Sequence, residues 1–400
     1  MSKFAILIRF NLPVLTMEPG EPLTNFATIA QTFYVSREKR VGSPHMTILR
    51  AALVTPLSGS LATFGHTSAT GLILWARYAA HLPPPWTGVE LDIRDTAADP
   101  EAAMHDAINT HPDILFGPYG SSTMLAAMRA TDRVVWNHGG ATSQLSWPAF
   151  PRVINVLSPA PTYFDGVLQA VRATDPNVTT VSILYASSGF GRDVASGAVN
   201  TATKLNFEVQ AVPFEPNQAV EIASTLPGAD ILLVIGSFAN ELAVAPVLLT
   251  RTWRAAAFVG AGVDEVLAPL GDLREGLLGP AQWIGTSALE PDEGPNSDWF
   301  VAKYRHVVGV DPPYPAAQAF AAGLLCARCL RESGVSEDAA QLAAARQLAC
   351  TTLYGPFRID PANGLQVGHQ VLIVQWKNGT RQVVWPPERA ESPLLYPFVK

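Results

Sequence analysis

The side chains of this chain that are able to do chemistry gather in short turns, each placed directly after an apolar strand-like run. Ile114–Phe116 runs into Gly117-Pro118-Tyr119-Gly120-Ser121-Ser122-Thr123, and Val134–Asn137 into His138-Gly139-Gly140-Ala141-Thr142-Ser143. Val181–Tyr185 leads to Ser187-Ser188-Gly189-Phe190-Gly191-Arg192, and Ile231–Ile235 to Gly236-Ser237-Phe238. The chemistry on offer is hydrogen bonding and aromatic contact. Ser121, Ser122 and Thr123 open a helix, where unsatisfied N–H groups and the positive dipole end favour an anion; N-capping by a hydroxyl is the competing reading. Ala141, Thr142 and Ser143 follow two glycines that allow close backbone approach, or they form a tight turn with a capping hydroxyl. Phe64 offers apolar contact or is ordinary core, and His138 is a lone histidine whose commoner role is structural.

Motifs of catalysis do not stand out. Gly189-Phe190-Gly191 and Gly260-Ala261-Gly262 lack the third glycine of a dinucleotide-binding turn, and the chain has no Gly-Lys-Ser/Thr phosphate loop, Gly-x-Ser-x-Gly elbow or His-Glu-x-x-His. Neither a metal nor a cofactor is expected. Cys326 and Cys329 have C-x-x-C spacing, but they lie inside the helical run Ala319–Leu330 rather than at a helix N-terminus, where a thiol pKa would fall. They read as buried small side chains, with a disulfide to Cys350 as the alternative.

The turns imply their scaffold. Strand, Gly-rich turn and helix alternate from Ile48 onward, the pattern of α/β structure with a parallel sheet and helices on both faces. In such sheets ligands bind beyond the carboxyl ends of the strands. Asp99 is placed to cap a helix with Pro100 at its first position. Other helices are expected over Thr67–Ala80, Asp193–Leu205, Ser297–Val308 and Pro315–Ser333. Val89–Arg94 alternates as a strand, and Leu277–Trp283 reads as a strand returning to the first lobe. Asn378-Gly379 between Val371–Trp376 and Gln382–Trp385 is a strong hairpin signal.

With 400 residues, 48% apolar and 15% charged, the chain has enough to bury for two lobes. The net charge of −7 argues against nucleic-acid or anionic-membrane partners. No stretch approaches the roughly 18–20 apolar residues of a membrane span. Residues 1–45 are expected to be an N-terminal extension, disordered or preceding a true start at Met46; Arg9 interrupts the apolar run Phe4–Ile8, so no clear export signal is legible.

In their order the motifs resemble the type I periplasmic binding proteins, in the leucine/isoleucine/valine-binding and amide-binding branch. The likeness rests on Thr55-Pro56-Leu57-Ser58-Gly59 with Phe64-Gly65, Asp95 with Asp99-Pro100, Gly117-Pro118-Tyr119-Gly120-Ser121-Ser122, Gly140-Ala141-Thr142-Ser143, Ser188-Gly189-Phe190-Gly191-Arg192 and Tyr354-Gly355-Pro356-Phe357. It implies two doubly wound parallel-sheet lobes joined by three crossovers. Lobe one would hold residues 46–160 and 284–353, and lobe two residues 161–283 and 354–400. It further implies a non-enzymatic protein that catches a small polar or zwitterionic ligand (an amino acid, amide or similar compound) in a hinged cleft and passes it to an ABC permease outside the cytoplasm. A cytoplasmic amide or amino-acid sensor of the same fold is the alternative. The resemblance assigns the ligand's polar head to Ala141, Thr142 and Ser143 and a pocket wall to Tyr119. Where relatives place a hydroxyl residue after that aromatic, this chain has Gly120, which moves the side-chain contact to Ser121. Phe190 and Phe238 stand where relatives often carry tyrosine. Asp264 stands in the region that meets a ligand ammonium.

Overall fold

The computed structural model describes residues 7–10, 47–78, 82–96, 99–263 and 266–398. They divide into two units. The first takes the described residues up to Gly140, Gln144–Leu157 and Ala288–His369; the second takes Ala141–Ser143, Ser158–Ser287 and the residues from Gln370 onward. Both are doubly wound: parallel strands alternate with helices.

The first unit is built on six strands: β1 (Leu7–Phe10), β2 (Thr47–Thr55), β3 (Trp86–Asp95), β4 (Ile114–Phe116), β5 (Val135–Asn137) and β6 (Val153–Asn155), in the spatial order β1-β3-β2-β4-β5-β6. All pairings are parallel. The central strands are continuous apolar runs, as expected of a sheet covered on both faces; Leu49, Leu53, Phe116 and Trp136 are buried. β1 is an addition to the sequence expectation, which began regular structure at Met46. It pairs Leu7–Phe10 with Glu90–Ile93 along the edge of β3.

Helix Ala62–Tyr78 packs on helix Tyr314–Ser333 through small residues: a Cβ on Gly71 would lie 2.2 Å from the Ala316 carbonyl oxygen. The Asp99 cap forms as expected, its carboxylate accepting the Ala102 N–H at 2.9 Å with Pro100 opening the helix. Segment 354–369, which the sequence reading gave to lobe two, lies in the first unit. The Gln318 amide donates to the Tyr354 hydroxyl at 2.9 Å, the Tyr354 ring stacks on His369, and Gln366 donates to the Val156 carbonyl. These buried polar contacts join residues far apart in sequence.

The second unit has β7 (Thr180–Ala186), β8 (Glu208–Phe214), β9 (Ile231–Ile235), β10 (Ala255–Phe258) and β11 (Leu278–Ala281), ordered β11-β10-β9-β7-β8 and extended beyond β11 by the hairpin Leu372–Lys377/Thr380–Trp385. β11, within the stretch assigned to lobe two, is the last strand before the chain leaves for the first unit; it runs parallel to β10 and antiparallel to Leu372–Lys377. The hairpin turns at Asn378 (φ 51°) and Gly379 (φ 73°), the left-handed pair that matches the twist of its strands. Leu232, Val234, Trp253, Phe258 and Trp376 form much of this unit's core. Apart from the Ala141–Ser143 excursion, the chain passes between the units three times, after Leu157, Ser287 and His369. The three cysteines are buried and unbridged, and burial pushes the Cys350 thiol up to about 12.

Candidate functional site

The first unit carries its candidate residues at the carboxyl ends of β2 and β4. Turn 55–59 is held by Asp95, whose carboxylate accepts the Leu57 N–H at 2.7 Å. Helix Ala62–Tyr78 then begins five residues earlier than the expected Thr67. Its first turn lies so close to the strand end that a Cβ on Gly65 would sit 1.7 Å from the Pro56 carbonyl oxygen. Phe64 is thereby fixed beside the turn and stacks on Tyr119, with ring centroids 4.9 Å apart and planes 8° from parallel. The Tyr119 hydroxyl shares a hydrogen bond with that of Tyr314, the first residue of helix Tyr314–Ser333. Ser121 and Ser122 occupy the first turn of helix Ser121–Arg129, whose N-cap is Gly120 at φ 99°; no side-chain hydroxyl caps it. Phe64, Tyr119, Ser121 and Ser122 are therefore one neighbourhood, and Tyr314 joins it without having been singled out in the sequence. Its only sequence signal is the Pro313-Tyr314-Pro315 helix start.

Turn 137–140 is shaped by Asn137. Its amide nitrogen donates to the Gly140 carbonyl and to Asn155 Oδ1, each at 2.7 Å, while its Oδ1 accepts the N–H groups of Gly139 and Gly140. His138 beside it is fully buried, and neither ring nitrogen has a hydrogen-bond partner among the described residues. Burial holds its pKa down at about 4, so the ring is neutral at physiological pH.

The second unit takes up the chain at Ala141. Ala141 and Thr142 are buried, and the Ala141 carbonyl accepts the Ala160 N–H at 2.7 Å. Ser143 donates both its backbone N–H and its hydroxyl, each at 2.6 Å, to the two oxygens of Asp193. Helix Gly189–Lys204 starts four residues before the expected Asp193, because the Ser188 hydroxyl caps it by accepting the Gly191 N–H. Gly191 repeats the relation seen at Gly65: a Cβ would lie 2.1 Å from the Ala186 carbonyl oxygen. The aromatic-glycine pairs Phe64-Gly65 and Phe190-Gly191 thus have one physical origin, a helix seated directly on the preceding strand end.

Phe190 meets Tyr163 edge-to-face at 5.8 Å. The Tyr163 hydroxyl accepts the Gln282 amide N–H at 3.0 Å. Burial of that hydroxyl raises its pKa to about 12, the Gln282 hydrogen bond opposes the rise and the nearby Asp193 charge adds to it. Phe238 opens helix Phe238–Leu248 at the end of β9, the strand next to β7. Ser143 and Phe190 therefore gather with Asp193, Tyr163 and Gln282, three residues that the sequence reading did not single out. Asp193 follows the Gly-Arg of its turn by one residue and was legible there only as a helix residue. Asp264 lies outside the described residues.

Glu241 is wholly buried in the same unit. Its carboxyl accepts N–H groups from Gly260 at 2.7 Å and Gly236 at 3.3 Å, tying together the turns that follow β10 and β9. Burial outweighs these donors and lifts its pKa to about 8. Among the described residues no group of three His, Cys, Asp or Glu side chains is placed to hold a metal ion, and no helix is long and apolar enough to cross a membrane.

Residues 49–381 match the family described as periplasmic binding protein. Among solved structures, the chain is similar to a leucine-binding protein from Thermotoga maritima, with 18% identity, TM-score 0.71, and coverage of 84% of this chain and 97% of that one. It is also similar to an ABC-transporter solute-binding protein from Rhodopseudomonas palustris in complex with benzoate (17% identity, TM-score 0.69, coverage 84% and 96%). A third, from the same species in complex with p-hydroxybenzoic acid, has 17% identity, TM-score 0.70 and coverage 88% and 98%.

Proposed function

The chain belongs to the periplasmic binding protein family, and on that premise we propose that it captures a small polar ligand outside the cytoplasm and delivers it to an ABC-type importer. The observation that carries this reading is the chemistry at the strand ends of each unit. One presents Phe64 stacked on Tyr119 with Ser121 and Ser122 beside them; the other presents Thr142, Ser143 and Phe190. Aromatic faces supply burial, and hydroxyl and N–H groups supply direction, the usual division of labour in a small-molecule site. Phe238 and Asp264 complete the proposed set. The ligand class proposed is an amino acid, amide or related compound. Similar folds that hold benzoates are the reason that aromatic acids belong in the same test.

That test is a thermal-shift screen of the purified protein against amino acids, small amides, ureas and aromatic and aliphatic acids. A compound that binds only the folded state stabilises it by RT ln(1 + [L]/Kd), about 2.7 kcal/mol at 100-fold excess over Kd. The expected result is a saturable shift with members of one head-group class. Turnover of the bound compound would instead make the protein an enzyme.

A further inference from the structure

Among the described residues, Asp193 is a carboxylate that meets the turn assigned to the ligand's head group. Its two oxygens each accept one hydrogen bond from Ser143, at 2.6 Å and 2.6 Å. A carboxylate has about four acceptor positions, so two remain. No ion pair of a described Lys, Arg or His involves it, and the residue is only part-buried. Beside it lies an aromatic pair, Phe190 and Tyr163, whose rings meet edge-to-face at 5.8 Å. The Tyr163 oxygen already accepts a hydrogen bond from Gln282. An unpaired carboxylate next to aromatic faces is the combination that attracts a cation. The same geometry works against an anion: the two Ser143 donors that would hold a ligand carboxylate are already engaged by one, and a second negative charge there would be repelled.

We propose that Asp193 is a ligand-contacting, specificity-determining residue that binds a protonated amine, with Ser143 as the positioning residue that aims its carboxylate. The proposal rests on the reading that Ala141–Ser143 and Phe190 line the ligand site. The turn then selects by positive charge: an organic amine is accepted with or without a carboxylate of its own, and a plain carboxylic acid is rejected.

Titration calorimetry on matched probes tests this. The first set is phenethylamine, L-phenylalanine and 3-phenylpropionate; the second is isopentylamine, L-leucine and 4-methylpentanoate. The expected result is binding of the amine-bearing members and none of the plain acids, with at least tenfold weaker amine binding in Asp193→Asn. Ser143→Ala removes one hydrogen bond but keeps the charge, so it should preserve the preference for amines with weaker affinity, and it guards against misreading a folding defect in Asp193→Asn. Plain acids binding as well as amines, or amine affinity unchanged in Asp193→Asn, would overturn the role of Asp193 and leave ligand capture standing. Silence from every probe would overturn both the amine preference and the amino-acid part of the capture reading.

Discussion

Asn137 donates its side-chain amide to Asn155 Oδ1 at 2.7 Å, between register partners on the adjacent strands β5 and β6, and both residues are buried. The pair leaves nothing unsatisfied. Asn137 uses both donors and both acceptor positions, and the Asn155 amide donates to the Leu145 and Gly364 carbonyls at 2.8 and 2.9 Å. Removing Asn155 strands the Asn137 donor and two carbonyls in the interior. Asn155→Ala is expected to lower unfolding stability by about 1–3 kcal/mol, measured by urea denaturation. Because Asn137 shapes the turn ahead of Ala141–Ser143, ligand affinity should fall as well. Unchanged urea midpoints would show that the network contributes nothing.

The seating of each helix on its strand end gives a second expectation. Gly65→Ala must move the Pro56 carbonyl or the helix, since the new Cβ would lie 1.7 Å from that oxygen. A loss of about 1–3 kcal/mol is expected, typical of overpacking. The Phe64–Tyr119 stack should loosen with it, visible in near-ultraviolet circular dichroism.

Glu241 predicts a stability that falls in base. Its carboxyl is lifted from 4.5 to about 8 in the folded state, so the folded protein holds a proton that the unfolded chain has released. The resulting stability is fully present below pH 4.5 and is lost as pH rises towards about 8. Glu241→Gln mimics the protonated form and should flatten the decline between pH 6 and 8 in urea midpoints. An equal decline in wild type and variant would refute the assignment.

His138 predicts the opposite slope. Its pKa is held down from 6.5 to about 4 by burial, so the unfolded chain gains a proton that the folded one does not. Its contribution is complete above pH 6.5 and is lost as pH falls towards about 4. In His138→Gln the acid-side loss should shrink, as followed by thermal melts from pH 7 to pH 4. Between pH 4.5 and 6.5 the two residues oppose each other, and each single variant should expose the slope of the other.

The hydroxyl of Thr142 is tested by Thr142→Val, which keeps the shape of a buried side chain. If the turn holds the ligand's head group, affinity for the compound found in the screen should fall about tenfold or more, the scale of one hydrogen bond to a charged group. Equal affinity would remove Thr142 from the site.

By itself the sequence determined what local chemistry determines. The alternation of apolar strand and glycine turn set the parallel α/β class. Asp99-Pro100 set a helix start, and Asn378-Gly379 set a hairpin through the left-handed φ that both residues adopt. Aromatic, glycine and hydroxyl residues marked the strand-end turns before any contact was known. Tertiary structure alone decided what depends on partners distant in the chain. It kept Tyr354–His369 in the first unit, because Gln318 and Val156 are there to satisfy it. It chose the partners of β11, parallel to β10 and antiparallel to Leu372–Lys377, and it laid Leu7–Phe10 along β3. It joined Ser143 to Asp193 across fifty positions, a contact that no periodicity encodes, since hydrogen bonds from a turn residue to a side chain on a distant helix leave no local signature.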